Sequence, residues 1–100
     1  MTAKHIAWFR FNEGLADDRI ESHLAAVRSL VNLVPEVLSI ECGASYTPDR
    51  AGGLTHCILV TLPDRGALPR YLEHPAHVPI ADALVADIAE LRVMDLDLDN

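Results

Sequence analysis

A tyrosine and two histidines lie close together in the segment YLEHPAHVPI, residues 71–80. Tyr71, His74 and His77 flank Pro75, which interrupts a helix because proline lacks a backbone N–H and restricts the residue before it. An imidazole titrates near neutral pH, so it can take a proton from a carbon next to a carbonyl and later return it. A phenol can donate a hydrogen bond to the enolate oxygen that then forms. The segment therefore offers a candidate general base, His77, and a candidate donor, Tyr71.

The same side chains also have structural interpretations. A hydrogen bond from His77 could fix the chain reversal after Pro75, and a tyrosine at a helix end often only covers the core. The spacing of His74 and His77 would suit two metal ligands, but a third ligand would have to come from elsewhere in the chain. Because no carboxylate or cysteine is placed beside this pair, we expect no bound metal.

Three more histidines are candidate binding residues. His5 and His56 lie in strand-like segments among apolar neighbours, where a histidine is either a hydrogen-bonded core group or, if two of them face one cavity, part of a site. His23 lies on the apolar stripe of a predicted helix, either as a polar group of a pocket or at the rim of the stripe.

Composition limits the class of protein. The chain has 100 residues, half of them apolar, and a net charge of -7, which predicts one globular domain over residues 1–100. No cluster of Lys or Arg is present, so nucleic acid and anionic membrane are not expected partners. Neither a signal-like segment nor an apolar run long enough to span a bilayer is present, which favours a cytoplasmic protein. We expect Cys42 and Cys57 to be free thiols.

Six elements are predicted along the chain. Residues 4–11 alternate in the two-residue period of a strand. The D-x-x-E pair Asp18 and Glu21 resembles a capping box at the start of a helix that ends before Pro35. The apolar stripe of this helix contains Ile20, His23, Leu24, Val27, Leu30, Val31 and Val34.

The second half of the chain repeats strands and helices. Residues 36–46 and 54–62 read as an antiparallel hairpin around a turn that contains Pro, Asp and Gly. A short helix is expected from about Asp64 to His74, although Pro69 lies near its start. Pro79 suits the first turn of another helix, and residues 91–99 form the last strand. The apolar stripe of that helix contains Ile80, Ala81, Leu84, Val85 and Ile88.

The C-terminal aspartates alternate with apolar residues. We interpret them as the solvated side of an edge strand, where charge discourages aggregation, and assign them no chemistry. They are Asp95, Asp97 and Asp99.

The order strand, helix, strand, strand, helix, strand predicts a ferredoxin-like α+β protomer, with helices on one face of a four-stranded antiparallel sheet. Both sides of the first and third strands are apolar. Two helices can cover only one face of such a sheet, so the other face needs a second copy of the chain. We predict a homodimer in which two sheets pack face to face around a barrel-like centre.

Four segments resemble the stress-responsive dimeric α/β-barrel family, often called Dabb proteins: KHIAWFRF, VNLVPEVLSIECG, THCILV and above all YLEHPAH. The resemblance extends from Lys4 to Asp95. It implies a ferredoxin-like protomer that dimerises through its sheets.

The chain also resembles a plant polyketide cyclase of that family, which closes a linear polyketide by intramolecular aldol condensation. This resemblance implies that His77 is the acid/base residue, that Tyr71 assists it, and that His5 and His56 are pocket residues.

The chain departs from the cyclase on the first helix. Bulky aromatic residues of the cyclase pocket are replaced here by His23 and Val27. A pocket lined by smaller or more polar groups would not hold the same long alkyl chain, so this departure argues against the substrate of the plant enzyme.

Three functions remain open. The first is a cofactor-free cyclase or lyase that acts on a polyketide-like substrate, and the second is a non-catalytic stress-response or ligand-binding dimer. The third, suggested by other dimeric α/β-barrel families, is a cofactor-independent monooxygenase acting on an electron-rich phenol. An open cavity beside His77 would favour the enzymes, whereas a filled core would favour the non-catalytic dimer.

The doubly apolar strands predict a dimer at micromolar concentration. We expect Trp8→Asp to give a monomer or an aggregate, because the substitution places a charge in the predicted interface. Sedimentation of the parent and the variant tests this. A parental monomer, or a well-folded dimer of the variant, would contradict the prediction.

Overall fold

The computed structural model describes residues 2–98, which form four strands and three helices. The strands are β1 (Thr2–Phe11), β2 (Ser39–Ala44), β3 (His56–Leu62) and β4 (Ile88–Leu98). The helices are α1 (Asp17–Leu33), α2 (Ala67–Glu73) and α3 (His77–Ala86), and a short 3₁₀ helix, Pro48–Ala51, lies in the β2–β3 hairpin. The four strands form one antiparallel sheet in the order β2-β3-β1-β4, which confirms the ferredoxin-like fold.

Helix α1 starts differently from the prediction. It begins at Asp17, Ala16 is its N-cap residue, and no side chain caps it. The predicted capping box of Asp18 and Glu21 is therefore wrong, because Asp18 already lies inside the first turn. Asp17 and Asp18 still place negative charge at the positive end of the helix dipole. The helix ends at Leu33, before Pro35, as predicted.

Helix α2 begins later than predicted. Its first residue is Ala67, whose backbone N–H donates to Oδ1 of Asp64 at 3.2 Å. Pro69 therefore lies in the first turn, where a helix leaves the backbone N–H groups without an intrahelical acceptor. This position removes the cost that Pro69 would have inside the helix.

Helix α3 begins at His77, which places Pro79 in its first turn, as predicted. It ends at Ala86, and Ile88 belongs to β4, where it pairs with Phe11 of β1. The assignment of Ile88 to the helical stripe is therefore wrong, because pairing with the central strand overrides the helical spacing.

The core lies between the sheet and the three helices. β1 and β3 contribute alternate side chains, while α1 contributes an apolar stripe to the same layer. Phe9 and Leu30 are at most 1% exposed. The buried apolar residues are Ala3, Phe9, Phe11, Leu24, Val27, Leu30, Val34, Val37, Ile58, Val60, Leu62, Ala67, Tyr71 and Leu84.

The other side of the sheet, here called the outer face, is also largely apolar. The register of the ladders places Trp8, Cys57 and Arg92 side by side on this face, with the next row formed by Ile6, Leu59 and Met94. Cys42 pairs with Ile58 and so faces the helices, whereas Cys57 lies on the outer face. Both cysteines are free thiols, as predicted.

The aspartates of β4 face the helices. In the β1–β4 ladder Asp95 lies opposite His5 and Asp97 lies opposite Ala3, both of which are on the helix side. β4 is an edge strand, as predicted, and Asp95 is solvated, as predicted, with 44% of its side chain exposed, whereas the side chain of Asp97 is only 23% exposed. Met94 and Leu96 take the outer face instead. Asp99 lies outside the described residues.

Within residues 2–98, no helix combines the length and apolarity needed to cross a bilayer.

Two leucines of α1 test which side of this helix faces the core. Leu24 is 3% exposed and Leu33 is 51% exposed. Leu24→Ala should lower the free energy of unfolding by about 2–5 kcal/mol because it leaves a cavity. Leu33→Ala should change it by less than about 0.5 kcal/mol. Urea unfolding at one fixed protein concentration measures both values, and equal losses would contradict the assigned face.

Candidate functional site

A cavity of about 240 Å³ lies between the sheet and the helices. Three of its lining residues carry polar groups that can do chemistry: His5 from β1, Tyr71 from α2 and His77 from α3. The rest of the wall is apolar. It consists of Ala7, Phe9, Val27, Leu30, Ile58, Leu72, Ile80, Ala81, Leu84, Val85, Ile88, Leu91 and Val93.

The hydrogen bond of His77 fixes its tautomer. Nδ1 of His77 lies 3.0 Å from the carbonyl oxygen of Leu72. A carbonyl can only accept, so Nδ1 carries the proton and donates it. In the neutral ring Nε2 is then an unprotonated acceptor. The geometry therefore combines both interpretations of His77, since Nδ1 ties α3 to α2 while Nε2 remains able to take a proton.

Burial lowers the pKa of His77 below its ordinary value of 6.5. The neighbouring His5 and His74 also lower this pKa, whereas the Leu72 carbonyl and Asp82 act in the opposite direction. His77 is therefore neutral at neutral pH, which is the state required of a base.

Tyr71 packs directly against both cavity histidines. Its ring centroid lies 4.5 Å from that of His77 and 5.9 Å from that of His5. Burial raises the pKa of Tyr71 to about 12, so the hydroxyl stays protonated and can donate a hydrogen bond. Within residues 2–98, no protein group forms a hydrogen bond with this hydroxyl.

Asp95 orients His5, although the sequence analysis assigned no chemistry to this aspartate. Nδ1 of His5 and Oδ1 of Asp95 form a hydrogen bond across the β1–β4 ladder. A carboxylate only accepts, so Nδ1 donates and Nε2 of His5 remains the second nitrogen of the ring. The period-two alternation of the aspartates was visible in the sequence. The side of the sheet on which Asp95 lies follows only from the register of the β1–β4 ladder.

His74 has a structural role at the turn between α2 and α3. Its Nδ1 accepts a hydrogen bond from the backbone N–H of Ala76 at 3.0 Å. Its carbonyl oxygen accepts from the N–H groups of His77 and Val78 at 2.9 and 3.1 Å. His74 thus fixes the helix break around Pro75. In the described part of the chain, no group of three or more His, Cys, Asp or Glu side chains is arranged to hold a metal ion.

Of the three remaining candidate binding residues, one lines the cavity and two lie outside it. Val27 lines the cavity, but His56 and His23 do not. The His56 ring stacks on Phe9 at 5.9 Å, and the His23 ring stacks on Phe11 at 6.0 Å. Burial lowers the pKa of His56, and its Nδ1 lies 2.8 Å from Oγ1 of Thr55. The structure therefore does not bring His56 to the cavity that contains His5.

The sequence profile of the Stress responsive A/B Barrel Domain (Dabb) family matches residues 3–98. The chain belongs to this family.

Olivetolic acid cyclase from Cannabis sativa is a relative that is 26% identical over 96 residues, which is 95% of either chain. The structure is similar to that of a hydroxynitrile lyase from Passiflora edulis, with a TM-score of 0.91 at 21% identity. That match covers 98% of this chain and 94% of the lyase.

A second similar structure is a dimeric ferredoxin-like protein of unknown function from Thermobifida fusca. Its TM-score is 0.84 at 24% identity, and the match covers 98% of this chain and 92% of that chain. At this identity, the two structural matches show the fold.

The geometry predicts how His77 titrates. Nitrogen-detected NMR should show neutral His77 with its proton on Nδ1 and a titration midpoint below 6.5, because burial disfavours the imidazolium. Assignment through His77→Asn identifies the signal. A proton on Nε2, or a midpoint above 6.5, would contradict the hydrogen bond to Leu72 or the effect of burial.

Proposed function

We propose that the protein is a cofactor-free lyase of the cyclase type, which acts on a small, largely apolar carbonyl compound. The observation that carries this proposal is the pairing of His77 and Tyr71 inside an apolar cavity. One side chain offers a nitrogen that can accept a proton, and the other offers a hydroxyl that stays protonated. These are the two groups that proton transfer next to a carbonyl requires.

In the proposed reaction, Nε2 of His77 removes a proton from the carbon next to a carbonyl. The electron pair of the broken C–H bond forms an enolate, whose oxygen accepts a hydrogen bond from the Tyr71 hydroxyl. The enolate carbon then forms a bond to a second carbonyl carbon of the same molecule, and the resulting alkoxide takes the proton back from His77. The aldol product is an isomer of the substrate, so no oxidant or reductant is consumed.

The surroundings of Tyr71 would shield a bound ligand from water and orient a second imidazole beside it. Tyr71 is 3% exposed, so a ligand at its hydroxyl is largely shielded from water, and electrostatic contacts there are stronger than in solvent. The hydrogen bond from His5 to Asp95 orients a second imidazole at the other side of the Tyr71 ring. We assign His5 to contact with the substrate and His77 to proton transfer, because Nδ1 of His77 donates to a neutral carbonyl and leaves the ring neutral.

The relatives support the reaction class. One relative over nearly the full length is an olivetolic acid cyclase, and a structure with the same fold is a hydroxynitrile lyase. Tyr71 and His77 also lie at the positions where resemblance to the plant cyclase implies the assisting tyrosine and the acid/base histidine. The apolar wall, which includes Val27, favours a substrate with hydrocarbon around its carbonyl groups.

We also propose that the working unit is a homodimer formed through the outer face. The apolar row of Ile6, Leu59 and Met94 runs across this face, and Met94 is 51% exposed in the single chain. A second sheet would remove this row from water. The dimeric ferredoxin-like structure from Thermobifida fusca supports this arrangement.

A non-catalytic ligand-binding dimer is the second candidate. The observation that favours it is the cavity itself, since an apolar wall binds a hydrocarbon ligand whether or not a reaction follows. The two candidates differ in what His77 does. In a binding protein, only its hydrogen bond to Leu72 would matter.

Substitution of His77 by two different residues separates catalysis from structure. His77→Asn keeps an N–H that can reach the Leu72 carbonyl but has no basic nitrogen, so we expect turnover to fall by about 10² to 10⁴. His77→Ala also loses the hydrogen bond to Leu72, which costs about 1–3 kcal/mol if that carbonyl stays unsatisfied. The Ala variant should therefore melt several degrees below the Asn variant. Tyr71→Phe should lose less rate than His77→Asn, because it removes a hydrogen bond and keeps the base.

The measurement combines thermal melts with turnover of linear β-polyketide thioesters and acids and of hydroxynitriles. If the parent turns over none of them but binds them, the non-catalytic candidate is favoured. Equal turnover by the parent and His77→Asn would exclude His77 as the base. Oxygen uptake with an electron-rich phenol would instead favour the monooxygenase hypothesis.

A further inference from the structure

A second His–Asp pair lies outside the proposed catalytic group. Oδ2 of Asp87 accepts a hydrogen bond from Nε2 of His23 at 2.6 Å and another from Nε of Arg19 at 2.7 Å. The side chains of His23 and Asp87 are only 12% and 14% exposed, whereas that of Arg19 is 63% exposed. The two hydrogen bonds lower the pKa of Asp87, so it is a carboxylate that accepts from both donors. We call the pair of His23 and Asp87 the Asp87 cluster, and Arg19 is a second, exposed donor to it.

The Asp87 cluster connects four segments of the chain. Asp87 is the C-cap residue of α3 and directly precedes β4, while Arg19 and His23 belong to α1. The backbone carbonyl of Asp87 accepts a hydrogen bond from the N–H of Asn12, just after β1, at 2.8 Å. The position of the α3–β4 junction is therefore set by contacts with α1 and with the end of β1.

The same junction forms one end of the cavity. Leu84 and Ile88, which flank Asp87 in the chain, line the cavity, and so does Val27, one helical turn after His23. His23 itself lines a surface groove on the other side, together with Ala16, Asp18, Arg19 and Ser22. The Asp87 cluster thus lies between the solvent groove and the end wall of the cavity.

We propose that the Asp87 cluster is a specificity-determining clamp: it holds the α3–β4 junction against α1, closes this end of the cavity and so limits the length of the hydrocarbon part of a ligand. His23 is a positioning residue in this arrangement, because it acts through Leu84 and Ile88. The proposal rests on the proposed function only in taking an apolar carbonyl compound as the ligand.

The closed end has a measurable consequence for affinity. Each methylene of a linear ligand that enters an apolar cavity should tighten binding by about fourfold. The gain should stop at the chain length that reaches Val27, Leu84 and Ile88. Weakening the clamp should move this limit to longer chains.

Three variants test the clamp. His23→Leu keeps an apolar side chain against Phe11 but removes the partly buried hydrogen bond to Asp87. His23→Gln restores an N–H donor at a similar reach and serves as the rescue. Arg19→Leu is the matched control, since it removes the exposed donor to the same oxygen, and exposed ion pairs contribute little.

Two readouts are compared in all variants. Amide hydrogen exchange at Asn12 and Asp87 should become about tenfold faster in His23→Leu, the factor for loss of a hydrogen bond to a charged group. Calorimetric titration with a homologous series of linear methyl ketones should show a longer optimal chain in His23→Leu than in the parent. His23→Gln and Arg19→Leu should stay close to the parent in both readouts.

The outcomes separate this inference from the proposed function. Parental exchange rates in His23→Leu would overturn the clamp, and so would faster exchange with an unchanged length limit. If Arg19→Leu changed the exchange rates and the optimal chain length as much as His23→Leu, the effect would come from the loss of a charge. That result would also overturn the clamp. A parent that binds no ketone of any length would overturn both the proposed ligand and the length limit.

Discussion

The packing of the helices on strand β1 is the constraint on which the rest of the structure depends. β1 is a central strand, and its helix-side row runs through Ala3, His5, Ala7, Phe9 and Phe11. The large rings at one end of this row fill the core and are almost fully buried. Ala7 has a small side chain, and it lines the cavity. Because interiors pack densely wherever side chains can reach each other, a small residue under a helix pair leaves space for a ligand.

The polar groups around this space are held by hydrogen bonds that use one nitrogen of each ring. His77 uses Nδ1 to bond to the Leu72 carbonyl, and His5 uses Nδ1 to bond to Asp95. The other nitrogen of each ring remains for chemistry. A structural hydrogen bond and a catalytic role are therefore compatible in one imidazole, since the bond selects the tautomer that leaves Nε2 basic.

The three remaining histidines illustrate how context decides the role of one residue type. His74 accepts a backbone hydrogen bond and stabilises the turn around Pro75. The ring of His56 stacks on that of Phe9, and His23 forms a hydrogen bond with Asp87 at the α3–β4 junction. The family fold is shared by proteins named as a cyclase and as a lyase, so the fold alone does not define a reaction. The residues around the cavity have to supply that information.

The sequence by itself determined the order of the elements and the presence of two apolar sheet faces. Period-two alternation, three- and four-residue spacing and the positions of Pro35 and Pro79 are local signals, and short-range sterics and hydrogen bonding are enough to interpret them. The His-Pro-Ala-His segment also identified Tyr71 and His77 as neighbours, because they are separated by a single tight turn.

Only the tertiary structure decided which distant residues meet. Asp95 faces His5 because the register of the β1–β4 ladder places them opposite each other, and a shift by one residue would turn Asp95 to the outer face. Ile88 leaves the helical stripe because it pairs with Phe11, and His56 is kept from the cavity by Phe9, on which its ring packs. These outcomes depend on pairing and packing between segments far apart in the chain, and no local period in the sequence encodes them.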